Sequence, residues 1–241
     1  MKSLIFKEIR SYLSSIIGFI TIIVFLIITG TFLWLIPGNF NILNLGEASL
    51  IPFFKLTPYI YLILIPSFTM KLFAEEKRTG TIELLATKPL SDLQIVTAKF
   101  ISGFLLSLIT LLPTLIYYFS IYLIGEEVGN IDHSSTLGSY IGLILLASSF
   151  VSIGMFSSSM VKNQIVAFIV SVVLIYIFYE GLYLFADLVI QPIDYYLSKF
   201  SMLEHFKSFE RGIIDSRDVV YYLSVSVFFI MLTKLFYVSK K

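Results

Sequence analysis

The sequence predicts an all-α integral membrane protein with six transmembrane helices, and three observations carry that reading. Hydrophobic residues make up 57% of the 241-residue chain and charged residues 14%, against about 45–50% and about 25% in an ordinary soluble domain. Folding alone leaves roughly a quarter of the unfolded surface of such a chain in water, so an apolar excess of this size would emerge as large exposed patches. Charge-free runs cover residues 11–46, 56–70, 100–125, 134–161, 163–179 and 219–233, and crossing about 30 Å of hydrocarbon takes about 20 helical residues. Within these runs Leu, Ile, Phe and Val follow one another with no two-residue polar alternation, which selects helices over the strands of a transmembrane barrel. The spans are expected near residues 13–36, 56–74, 97–124, 139–160, 164–186 and 218–238 of a single membrane domain covering 1–241.

Formal net charge is +1 and cysteine is absent. Near-neutrality removes the electrostatic attraction on which nucleic-acid binding depends. The lack of thiols excludes disulfides, thiolate metal sites, thiol catalysis and palmitoyl anchors.

At the start of the chain Leu4, Ile5, Ile9, Tyr12 and Leu13 recur at helical spacing, with Lys2, Lys7, Glu8 and Arg10 between them. That pattern predicts an interfacial helix lying on the membrane before span one. It does not read as a cleavable signal: the charged region contains Glu8, the apolar run after Arg10 is far longer than an h-region, and no small-x-small site closes it. Span two is short by charge alone, since only 15 residues separate Lys55 from Lys71, so those lysines are expected to snorkel from its ends. With the N-terminus inside, twelve of the seventeen Lys and Arg fall on the inner face. Positive-inside bias then places both termini in the cytoplasm.

The densest charge cluster lies between spans two and three. There Gly80-Thr81 predicts a helix start with Glu83 in the first turn. Ile82, Leu85 and Ala86 share one face, and Lys88-Pro89 ends the helix after about two turns. Ser91 and Gln94 have capping-box spacing for the helix that becomes span three. A helix this short needs a surface to pack on; the alternative is a solvated hairpin with ordinary helix caps.

Pro113 is expected to kink span three, and Pro58 and Pro66 span two. The segment from Glu126 to His133 reads as a plain acidic turn. In span four Gly138-Ser-Tyr-Ile-Gly142 and the serines that follow form a small-residue surface for close helix approach, within the chain or at a subunit interface. Glu180 is the one acidic residue well inside the apolar stretch of span five; it is either an outer vestibule, opened where Gly181 breaks the helix, or a structural hydrogen bond. Between Asp187 and Asp218 the stripe Phe200, Leu203, Phe206, Phe209 and Ile213 predicts an amphipathic outer helix, and Asp215 is placed to cap the final span with Asp218 in its first turn. His133 and His205 stand apart in outer loops, and neither a metal-ligand pattern nor a catalytic constellation is expected.

Pro66-x-x-x-Met70, Ala74-Glu75-Glu76-Lys77-Arg78-Thr79-Gly80-Thr81-Ile82-Glu83-Leu84-Leu85, Pro89 and Lys99-Phe100 together resemble the segment shared by ABC-2 type permeases, nearest to the gliding-motility members. Lys7-Glu8-Ile9-Arg10-Ser11-Tyr12 and Phe209-x-x-Gly212-x-Ile214-Asp215-x-Arg217-Asp218 extend the resemblance over the chain. The resemblance implies a permease subunit of the bacterial inner membrane that dimerises with a second copy or a related permease. It also implies a cytoplasmic ABC ATPase partner that docks a coupling helix. On this sequence that role falls to Gly80, Thr81, Ile82, Glu83, Leu84 and Leu85, flanked by Glu75, Glu76, Lys77 and Arg78. Apolar side chains would fill a cleft and charges would set register. No Gly-x4-Gly-Lys-Ser/Thr loop is present, so no nucleotide cofactor is expected on this chain and hydrolysis would lie on the partner. Further gliding-machinery subunits and membrane lipid complete the implied partners. The competing reading is an ATP-independent scaffold of a larger envelope complex.

Overall fold

A computed structural model describes residues 1–44, 46–83, 89–125 and 128–239. Among the described residues the secondary structure is all-helical, and six helical segments are long and apolar enough to cross a membrane: Ile16–Leu35, Ile51–Thr79, Asp92–Ile124, His133–Met160, Gln164–Ala186 and Ser216–Val238.

Helix α1, Lys2–Leu13, precedes them. Ser15 separates it from α2, Ile16–Gly30, and caps α2 by accepting from the Gly18 backbone N–H at 3.1 Å. A π-helical turn, Thr31–Leu35, finishes the first segment. The second begins five residues before its charge-free run, because Pro52 occupies the first turn of α3, Ile51–Thr69, where a missing N–H costs nothing. Lys55 therefore lies within the helix, and its ammonium meets Glu210 at 3.3 Å. Pro58 and Pro66 both lie inside α3. After Met70 the chain continues as α4, Lys71–Thr79.

Helix α5, Asp92–Leu111, opens on the Ser91/Gln94 capping box, with both reciprocal bonds made at 3.3 and 3.0 Å. Pro113 sits in a 3₁₀ turn, Leu112–Thr114, before α6, Leu115–Ile124. Helix α7, His133–Met160, is N-capped by Asp132. Helix α8, Gln164–Tyr176, is capped by Asn163 and passes through a second π-helical turn, Ile177–Gly181, into α9, Leu182–Ala186. The helix is thus wound more loosely at Gly181 rather than broken there.

Two helices fill the long connection that follows: α10, Ile193–Phe200, and α11, Met202–Glu210. Met202, Phe206 and Phe209 turn inward, whereas Phe200 and Ile213 remain exposed, so only the middle of the aromatic stripe reaches the core. The final segment is α12, Ser216–Ser239, with the Asp215 carboxylate accepting from the Arg217 N–H at 2.9 Å. His205 ties α11 to α12: one ring nitrogen lies 2.6 Å from the Asp218 carboxylate, the other 2.9 Å from the Lys199 carbonyl, and the ring stacks on Tyr221.

Helix α7 is the centre of the bundle. In its most apolar stretch 78% is buried, against 22% for the first and last segments, which present branched side chains outward as a lipid-facing surface requires. Small residues allow that burial. A Cβ on Gly138 would collide with the Gly212 backbone, one on Gly142 with Phe209, and one on Gly154 with Thr69. The Gly-x-x-x-Gly pair is therefore occupied within the chain, by the connection after α11 and by α11 itself. Further along α7, Ser149 donates to the Tyr222 carbonyl at 3.0 Å and Ser148 meets Ser226 at 2.8 Å, seaming α7 to α12.

Replacing Gly142 by valine is expected to lower stability by about 1–3 kcal/mol through overpacking against Phe209, read as an earlier thermal unfolding transition in detergent. Gly30→Ala, whose added methyl meets only the Tyr117 hydroxyl at 3.5 Å, should leave that transition in place.

Candidate functional site

The second segment is interrupted at Met70, the junction of α3 and α4. The Met70 N–H still reaches the Pro66 carbonyl at 2.9 Å, after which the first turn of α4 starts with free backbone donors. Ser158, near the end of α7, supplies what they need. Its hydroxyl oxygen accepts from the Phe73 and Ala74 N–H groups, both at 3.0 Å, and donates to the Met70 carbonyl at 2.8 Å. One side chain from a distant part of the sequence thereby caps one helix and satisfies the end of another.

Beyond that cap, Leu72 and Phe73 pack into an apolar cluster with Leu4 of α1, Ile95, Val96 and Ala98 of α5, Met155 of α7 and Tyr237 of α12. Lys99 stands in the same place with a side-chain exposure of 0%. A buried ammonium is costly unless each of its donors finds an acceptor. Here Nζ lies 2.9 Å from Glu76 of α4 and 3.0 Å from Glu8 of α1, and it donates to the Leu72 carbonyl. The Phe73 ring lies 5.1 Å away, within reach of a cation–π contact. Lys7 closes the group by bridging the same two carboxylates, at 3.3 Å from Glu8 and 3.1 Å from Glu76. Burial lowers the Lys7 pKa, but Glu8 and Glu76 more than offset it and hold the ammonium above the usual lysine value. Two ammoniums and two carboxylates alternate, with Lys7 on the exposed side, so the group carries no net charge. It joins α1, α4 and α5 in a single contact.

From this platform the chain emerges at Gly80, whose left-handed φ of 73° ends α4 as helix C-termini commonly require. The residues singled out by sequence divide here into two sets. Glu76 is buried in the ion group, and Lys77 donates to the Ser159 carbonyl of α7. Glu75 is half-buried; Arg78, Gly80, Thr81 and Glu83 are exposed. Ile82 is half-buried against the apolar cluster. Residues 82 and 83 are helical, and the rest of the predicted helix, Leu84 and Leu85 included, lies outside the described residues. Glu180 lies at the opposite end of the bundle, on the second π-helical turn, and accepts from the Tyr59 hydroxyl at 3.4 Å.

Sequence reasoning missed the roles of Lys7, Glu8, Lys99 and Ser158. Lys99 carried a signal: it interrupts the apolar face of the helix that Ile95, Val96 and Ala98 define, and a charged residue on a buried face needs a partner.

A family model described as ABC-2 family transporter protein matches residues 4–237. Comparison with curated proteins gives no match.

The ion group predicts a non-additive mutant cycle. Glu76→Gln leaves Lys99 short of a counter-charge and should destabilise the protein by about 3–5 kcal/mol. Adding Lys99→Met removes the stranded ammonium, while Glu8 keeps Lys7, so the double variant should be more stable than Glu76→Gln alone. Unfolding in detergent checks this; simple addition of the two losses would mean that the charges are not coupled.

Proposed function

Because this chain belongs to the ABC-2 family of transporter proteins, we propose that it works as a multi-pass permease whose base is moved by a separate cytoplasmic ABC ATPase. One observation carries the reading: the exposed residues Arg78, Thr81 and Glu83 stand at the end of α4 and immediately after it, and the other face of that helix is fixed to α1, α5 and α7 by Lys99, Glu8 and Ser158. A load applied to residues 80–85 is passed to a helix that cannot shift without disturbing a buried ion group. Exposed charges of both signs beside a half-buried Ile82 suit a docking surface in which apolar contact supplies affinity and charge supplies register.

Within this reading Glu75, Arg78, Gly80, Thr81, Ile82, Glu83, Leu84 and Leu85 contact the ATPase, and Glu76 and Lys77 position them from behind. The chain pairs with a second copy or a related permease, resides in the bacterial inner membrane with both termini in the cytoplasm, and serves a gliding-motility system as a permease of the GldF type, beside further subunits of that machinery. Helix α1 lies at the cytoplasmic membrane surface. Glu180 faces an outer vestibule, held by Tyr59.

Two measurements test the assignment. Co-expression with the candidate ATPase should give a complex that purifies together, and Glu83→Lys combined with Leu85→Asp should abolish co-purification without shifting thermal unfolding. Undiminished co-purification would sink the docking assignment and favour the scaffold. The chain is naturally free of thiols, so a cysteine at Thr79 should resist an impermeant maleimide in intact cells and react once the membrane is opened; labelling from outside reverses the topology.

A further inference from the structure

Helices α10 and α11 are fastened to α12 where one gives way to the other. Three backbone carbonyls of that junction are taken up by side chains. The Tyr221 hydroxyl donates to Phe200 at 2.5 Å and the Tyr222 hydroxyl to Met202 at 2.7 Å, and one imidazole nitrogen of His205 lies 2.9 Å from the Lys199 carbonyl. The other imidazole nitrogen lies 2.6 Å from the Asp218 carboxylate, and the ring stacks on Tyr221 with centroids 3.9 Å apart. Behind the junction the buried Ser201 donates to the Tyr179 carbonyl at 2.7 Å, which ties it to the second π-helical turn as well.

Both ring nitrogens of His205 therefore face acceptors. A carbonyl offers no hydrogen, nor does an ionised carboxylate. Neutral imidazole has one N–H and one lone pair, so either tautomer sets a lone pair against an acceptor. Only the imidazolium donates to both, and the Tyr221 ring face adds a cation–π attraction. The pair as a whole thus holds one proton more than neutral imidazole and carboxylate do. Side-chain exposures of 14% for His205 and 10% for Asp218 leave a way for that proton to exchange with water.

The charged groups on the surrounding elements are engaged elsewhere. On α11 itself Glu204 meets Lys207 at 3.0 Å, and Glu210 meets Lys55 of α3 at 3.3 Å. Glu180 on the π-helical turn accepts from Tyr59, and Asp215 before α12 accepts from the Arg217 N–H. At the start of α7 Asp132 caps the helix, and His133 meets the Tyr118 hydroxyl at 2.5 Å. That second histidine is the contrast: a hydroxyl both donates and accepts, so its contact is made in either protonation state.

We propose that His205 and Asp218 form a proton-operated clasp, which fastens the α10–α11 junction to α12 while it holds its proton and loosens the junction when the proton leaves. Imidazole changes charge between about pH 5 and pH 8. Once the proton is gone, one of the two ring contacts becomes a repulsion and Asp218 loses its counter-charge, so acid closes the clasp and alkali opens it. That it senses the medium outside the cell rests on the orientation proposed above; its response to protons does not.

The test is hydrogen–deuterium exchange of the full chain in a neutral detergent at about pH 6 and about pH 8, which bracket the imidazole range, each rate referred to the intrinsic rate at that pH. Protection across residues 199–206 should fall by about tenfold or more from the lower pH to the higher, the loss of one charge-assisted hydrogen bond. His205→Gln should abolish the response, and His133→Gln should keep it. Asp218→Asn separates a proton device from a merely structural bond: its amide N–H can donate to a neutral ring whose other nitrogen donates to Lys199, so the junction should stay protected at both pH values. The proposal is overturned if native protection does not fall toward the higher pH, if His205→Gln or Asp218→Asn responds as the native chain does, or if His133→Gln abolishes the response. Labelling of the Thr79 cysteine decides the orientation separately, so a clasp that responds in a chain labelled from outside leaves the device standing and reverses only its side.

Discussion

A lysine ammonium with no access to solvent governs the base of this protein. Removing such a charge from water costs several kcal/mol even after the surroundings relax, and Lys99 recovers that only when α1 brings Glu8, α4 brings Glu76 and the backbone of α4 brings the Leu72 carbonyl. None of the three elements can be displaced alone without stranding charge. The requirement reaches further through Ser158, because the turn that presents Leu72 and Glu76 is held by a hydroxyl from α7. Apolar burial explains why the segments sit in a membrane; this ion group explains why their ends at the base meet in one arrangement.

How much of this was legible in the sequence depended on whether the cause was local. The number and helical nature of the spans follow from hydropathy, and the Ser91/Gln94 box and the Asp215 cap follow from spacing, since each bond joins residues within three positions. The start of the second segment was less legible because Lys55 looked like a boundary, whereas its partner Glu210 lies more than a hundred residues away. Small residues at 138 and 142 announced close packing but not against what; their occupants come from α11 and Gly212. Least visible was the site itself. The charges at positions 75 to 78 read as one exposed run, yet helical geometry turns Glu76 and Lys77 inward and Arg78 outward, and no periodicity within the run reveals that Glu8 and Lys99 wait on the inner side.

Continuity of backbone differs among the six segments. The first and fifth contain π-helical turns, the third a 3₁₀ turn at Pro113, and the second two internal prolines and an interruption at Met70. Only α7 and α12 run without such a feature, α7 for 28 residues, about 42 Å at helical rise and so about the full depth of a bilayer with its headgroups. These two are seamed to each other by Ser148, Ser149 and Ser226, touch the base cluster through Met155 and Tyr237, and bear α11 through Gly142 and Asp218. They form an unbroken pair among four segments that each carry a π- or 3₁₀-helical turn or internal prolines, the places where helices depart from straightness, so the pair is the straightest path from one surface of the membrane to the other.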